Sequence, residues 1–255
     1  MSRAGPKRPG GPGSSADPAW APNATGGDGG LPVPWSVFHG LGLALAVLLG
    51  PVVVVAGVAA LGADLRPPLT EVVVAGQAML MTLAGVLAWL GRSRRLSWRL
   101  LGPARPRPAR DIATGVLLAV PGAGLAIAAG AAARAAVGEA GVIESLDASA
   151  RAPLAVAAAA VVLVIVSPVL LELVHRGVLF QALRRIMPGP LAVGVSGVVF
   201  ALAQPGGTGV TDLVALTVLG GYLAAVFLRT GSLLVVIVAH GGVNALALAA
   251  RVAVG

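Results

Sequence analysis

The 255-residue chain has no cysteine, a single lysine, only 4% aromatic residues and only 11% charged residues. Without Cys there is neither a disulfide framework nor a thiolate metal site, and the redox compartment is not written in the chain. Soluble domains carry about 25% charged residues, so a chain this poor in charge and 57% hydrophobic is not built to face water on all sides. What it has in excess is Ala, Val, Leu and Gly, in runs long enough to cross hydrocarbon. It reads as an integral membrane protein. Seventeen arginines against one lysine, with abundant Ala, Gly and Val, suggest a GC-rich genome, a trait of composition only.

Residues 1–34 are Gly, Pro, Ser and Asp with almost no aliphatic content. They cannot bury enough apolar surface to offset ordering entropy and are predicted to be a disordered tail. Arg3, Lys7 and Arg8 are not followed by an apolar run or a small-residue cleavage site, so no signal peptide is expected and the first hydrophobic segment is a retained anchor. Residues 35–255 form the transmembrane domain. Runs able to cross about 30 Å of hydrocarbon lie near Val37–Leu61, Leu69–Leu90, Ile112–Ala133, Pro153–Leu183, Leu191–Gln204, Val210–Leu228 and Leu233–Val254. The prediction is an all-α polytopic bundle of about seven transmembrane helices. The fifth and sixth runs are shorter and separated only by a Pro-Gly-Gly-Thr-Gly linker, so a re-entrant pair is an alternative.

Orientation follows from positive charge in short loops. With the tail in the cytoplasm, the same side receives Arg92, Arg94, Arg95, Arg99, Arg105, Arg107, Arg110, Arg184, Arg185 and Arg229, leaving Arg66, Arg134, Arg151 and Arg251 for the other. The expected location is the inner (plasma) membrane with a cytoplasmic N-terminus, and Glu139, Glu144 and Asp147 fall in the opposite loop. The Arg92–Arg110 stretch, with Trp98 and leucines among its arginines, suits anionic headgroups. A basic patch also suits nucleic acid, but this one abuts a span and carries no further nucleic-acid signature. The lipid bilayer is the expected partner and nucleic acid is not.

Charges inside the spans need a reason, because a centrally placed Asp or Arg costs roughly 2.5–3.5 kcal/mol even on the most forgiving insertion scale. The fourth run carries Glu172, His175 and Arg176. Counting helical rise from the cytoplasmic ends, Glu172, Gln204, His240 and Asn244 lie roughly 12–21 Å deep, and almost everything around them is Ala, Val, Leu or Gly. Four polar side chains on three spans in one slab of membrane are expected to line one cavity, with Arg176. Glu172 and Arg176 are i,i+4 with the acid N-terminal, the favourable order, and pairing removes much of each ion's desolvation cost. His240 and Asn244 are i,i+4 as well. Pro168 loosens the backbone ladder just before the charged turn, as often happens in functional membrane helices.

Glu172-x-x-x-Arg176-Gly177, Phe200-x-x-x-Gln204 and His240-x-x-x-Asn244, the last preceded by the turn Arg229-Thr230-Gly231-Ser232, resemble the CPBP family of CAAX-prenyl endopeptidase and bacteriocin-processing (Abi) membrane proteins. The resemblance covers about residues 153–250. It implies an intramembrane endopeptidase in which the first glutamate of a Glu-Glu-x-x-x-Arg motif and the histidine of a Phe-x-x-x-His motif activate a water. The later His and Asn, here His240 and Asn244, would polarise the scissile carbonyl. By the resemblance, Glu172 is the second glutamate and Arg176 the arginine.

Two positions depart from that pattern. Leu171 stands where the first glutamate belongs and Gln204 where the water-binding histidine belongs. Leucine accepts no proton, and a glutamine amide can hold water but is not basic near neutral pH. The expectation is a weakly active or inactive homologue. Three alternatives stand beside it. Glu172 with His175 could serve as a displaced base, against which Arg176 and the roughly 100° rotation between neighbouring helical positions both argue. The fold could be kept as a non-catalytic binding or scaffold protein, such as an immunity or partner-stabilising factor, holding a membrane-associated peptide or protein. A transporter would need a continuous polar path, and the first three spans offer little beyond Glu71, Gln77 and glycines. Each polar residue also has a plain structural reading: Glu172 with Arg176 as a packing ion pair, His175 as a packed ring, His240 with Asn244 as interhelical hydrogen bonds of order 1 kcal/mol, His39 as an interfacial residue. A catalytic zinc needs three protein ligands, and the cavity offers one glutamate already committed to Arg176, His240, and an unassigned His175. No metal and no other cofactor is expected, and the substrate, partner and oligomeric state are not legible.

Overall fold

The computed structural model describes residues 35–62, 68–92, 107–137, 153–204 and 209–254. The predicted tail, most of the Arg92–Arg110 loop, the acidic loop Glu139–Asp147 and the linker after Gln204 lie outside the described residues. Seven helices and no strand occur among the described residues: α1 (Val37–Ala60), α2 (Pro68–Arg92), α3 (Pro108–Val137), α4 (Pro153–Leu183), α5 (Gly189–Leu202), α6 (Val210–Thr230) and α7 (Leu233–Val254). Six are long and apolar enough to cross a membrane. The exception is α5, whose 14 residues rise only about 21 Å against about 30 Å of hydrocarbon. The sixth predicted run also looked short, but α6 continues to Thr230 and reaches 21 residues.

The chain is a multi-pass membrane protein, and its surface fits that solvent. Phe38, Val53, Leu117 and Ile127 point outward on α1 and α3, as lipid-facing positions do when the surroundings are as apolar as the core. α1 packs on α2 and on the second half of α4, α3 packs on α6 and α7, α5 packs on α6, and α7 crosses the middle of α4. The main core gathers around Leu170–Leu183 of α4, with Phe200 of α5, Phe227 of α6 and Val236 of α7. α4 is thus the central element, and it carries the fully buried charges Glu172 and Arg176.

Proline shapes this helix. α4 starts as an ordinary α-helix, widens to π-helical turns over Val161–Val166, returns to α over Ser167–Glu172 and widens again over Leu173–Phe180. Pro168 has no N–H and its ring crowds the carbonyl four residues earlier. The ladder slips before it accordingly, and the Ser167 N–H donates five residues back, to the Val162 carbonyl. Such π-helical turns are rare and concentrate at functional sites. In water-free surroundings the carbonyls they displace must find donors elsewhere. A donor from outside the helix also joins it: Trp35, ahead of α1, donates its indole N–H over 3.1 Å to the Val178 carbonyl, which accepts the Gln181 N–H as well.

Candidate functional site

Glu172, which ends the α-helical turn of α4, and His175 and Arg176 in its second wide stretch lie wholly inside the protein, with no exposed surface on any of the three. Arg176 Nη1 donates to Glu172 Oε1 over 2.9 Å, so the i,i+4 pair read from the spacing forms as a buried ion pair. Arg176 Nη2 donates to the Gly220 carbonyl of α6 over 2.6 Å. His240 of α7 reaches the same carboxylate oxygen, with Nδ1 2.8 Å from Glu172 Oε1. A carboxylate paired with a guanidinium only accepts, so the His240 ring carries its proton on Nδ1. The carboxylate oxygen thus joins α4 to α7, and Arg176 extends the cluster to α6.

Phe200 of α5 is the hub on which these groups rest. The Arg176 guanidinium carbon lies 4.8 Å from its ring centroid, and the rings of His175 and His240 meet it edge-on at 5.3 and 5.5 Å. A cation over a desolvated aromatic face contributes about 2 kcal/mol or more, so the ring adds to the stabilisation of the ion pair. Gly220 makes the arrangement possible, because a Cβ there would stand 2.8 Å from the Phe200 Cβ. His175 Nδ1 donates to the Leu171 carbonyl on its own helix over 2.8 Å. Glu172 Oε2, His175 Nε2 and Arg176 Nε have no hydrogen-bond partner among the described residues.

The sequence-derived candidates divide into two groups. Glu172, Arg176 and His240 come together. Gln204 stands just past the end of α5, about one turn beyond Phe200, half-buried and making no side-chain hydrogen bond to Glu172 or His240 among the described residues. Asn244 also points elsewhere: its Nδ2 donates to the Leu163 carbonyl over 2.7 Å, in the first wide stretch of α4. Leu171, at the first-glutamate position, is a buried member of the apolar core. His175 is a packed ring, and His39 sits at the start of α1, bonded to Ser36 and against Trp89. Among the described residues no group of three or more His, Asp or Glu gathers in the way a metal ion requires.

The turn between α6 and α7 sets the height at which His240 enters. Gly231 ends α6 in the left-handed region, φ 63°, with its N–H on the Phe227 carbonyl, a conformation open to glycine at no steric penalty. Ser232 then caps α7, accepting the Val235 N–H at 3.3 Å, and donates its hydroxyl to Asp111 Oδ2 of α3 over 2.8 Å. Sequence reading noted the turn but missed Asp111, a lone acid near the start of α3. Gly220 was missed too. Its only signal was a Gly-Gly pair inside an apolar span, a pattern shared by many close helix contacts.

Residues 153–246 match the family model described as Rce1-like, type II CAAX prenyl endopeptidase Rce1-like. Neither the curated proteins nor the solved structures contain a match. The matched stretch begins with the first residue of α4 and ends within α7, so every residue of the buried cluster lies inside it.

Proposed function

We propose, for a chain whose residues 153–246 match the Rce1-like CAAX prenyl endopeptidase family model, that the CAAX-type intramembrane protease fold here acts without hydrolysis, engaging a membrane-associated peptide or partner protein by binding. One observation carries this reading: the only carboxylate in the cluster is fully buried and held on one oxygen by both Arg176 and His240, while a core leucine, Leu171, occupies the neighbouring base position. A general base must reach the proton it abstracts and hold a free lone pair for it. Glu172 Oε1 is taken twice and leucine has no lone pair. The unpartnered Glu172 Oε2 favours a second reading, weak hydrolysis with Glu172 as a displaced base. The two separate in an assay of purified protein, in detergent and in liposomes, against a quenched peptide library. Wild type and Glu172→Gln are expected to be equally silent. Turnover by wild type that Glu172→Gln abolishes would refute the non-hydrolytic reading.

The arginine asymmetry supports an inner-membrane orientation with the N-terminus and the Arg92–Arg110 loop in the cytoplasm. The native chain has no Cys, so single cysteines report cleanly. In intact cells a Cys replacing Ser145 is expected to react with an impermeant reagent and a Cys replacing Ala104 is not; the reverse pattern overturns the orientation.

A further inference from the structure

We infer that Asn244 is a positioning residue: its amide replaces the backbone N–H that Pro168 lacks, and this second rung between α4 and α7 holds His240 against Glu172. In the wide turns over Val161–Val166 the ladder runs five residues back, as the Ser167 N–H to the Val162 carbonyl demonstrates. The next donor in that register is residue 168, whose carbonyl partner is Leu163. Residue 168 is proline and has no N–H. The Leu163 carbonyl is the acceptor that Asn244 Nδ2 reaches over 2.7 Å.

Depth makes this bond necessary. Leu163 lies about ten residues, roughly 15 Å, into its span, where no water replaces a missing donor. Its side chain is partly outward-facing, so the carbonyl stands near the lipid boundary. α7 is shaped for the approach. Gly241 lies so close to α4 that a Cβ on it would stand 2.5 Å from the Val164 carbonyl oxygen, leaving the two backbones adjacent at the turn Pro168 disrupts. The helices run antiparallel, and the two rungs follow in order, Asn244 to Leu163 and His240 to Glu172. Losing the first rung lets α7 shift or rotate relative to α4 and pulls His240 from the carboxylate. The inference holds whether or not the site cleaves peptides, and it differs from the carbonyl-polarising role that the family resemblance implies for Asn244.

The test exploits a short inventory. The full chain holds two asparagines, Asn23 and Asn244, and three histidines, so nitrogen-labelled asparagine and histidine give NMR spectra with few side-chain signals. In wild-type protein in detergent, the Asn244 amide is expected to show one hydrogen-bonded, slowly exchanging proton, and His240 a hydrogen-bonded Nδ1 proton. Asn244→Ala is expected to remove the His240 signature and shift the unfolding equilibrium by about three- to twentyfold, the range of intramembrane side-chain hydrogen bonds. In a Pro168→Ala background, where residue 168 again supplies an N–H, Asn244→Ala is expected to shift unfolding less than twofold and to leave His240 bonded. Equal losses in both backgrounds, or an unchanged His240 signal in Asn244→Ala, overturn the inference. If Pro168→Ala does not fold, the wild-type spectrum still decides: two fast-exchanging, equivalent Asn244 amide protons refute the bond to Leu163.

Discussion

Leu171→Glu combined with Gln204→His is expected to raise peptide hydrolysis from background by about 10²–10⁴-fold, the usual contribution of a positioned general base. The double change supplies both missing groups: a carboxylate beside Glu172 on α4, and an imidazole just past the end of α5, about one turn beyond Phe200. Each single change is expected to give almost nothing, because two groups acting on one water behave as a unit and their effects do not add. Leu171 is part of the apolar core, and burying a charge there disfavours the folded protein; folding is therefore monitored alongside turnover. A correctly folded double variant that remains silent would mean that the site has lost more than its base, and the explanation built on Leu171 and Gln204 would fail.

Glu172→Ala is expected to destabilise the protein by about 3–5 kcal/mol, because removing one partner of a buried pair strands the other charge. Arg176 has no exposed surface. Its remaining contacts, the Gly220 carbonyl and the Phe200 face, are dipole and quadrupole rather than charge. Replacing both partners by apolar residues, Glu172→Leu with Arg176→Met, is expected to recover most of the loss, since hydrophobic replacement of a buried pair is often neutral or stabilising. Thermal unfolding in detergent, followed by the four tryptophans of the chain, measures both variants. A double variant as unstable as Glu172→Ala would show that the charge itself is not what couples the helices.

The membrane class, the all-α architecture and the sequence positions of seven helices are legible from composition and run length, because hydrocarbon admits few ways to satisfy a backbone. The Glu172–Arg176 pair is legible for a local reason: residues four apart share a helix face, whatever surrounds the helix. Proline at 168 signalled a loosened ladder. The family resemblance over the last spans was likewise carried by three short motifs and a turn, all readable in order along the chain.

Contacts between helices were a different matter. Equal depth suggested that Glu172, Gln204, His240 and Asn244 share one place, but depth fixes a height along the membrane normal and not a direction around each helix. The fold sends His240 directly onto Glu172 and turns Asn244, four residues later on the same helix, toward Leu163. Four residues advance a helix by about 6 Å, enough to meet a different stretch of an obliquely packed neighbour. Phe200 as the common support and Gly220 as the gap that admits it depend on α5 and α6 meeting around α4, and Asp111 as the anchor of the last turn depends on α3 packing on α7. Chain spacing determined which side chains could pair along one helix. The close approach of separate helices, permitted at glycines and demanded by the carbonyl that Pro168 strands, decided which of them meet across the bundle.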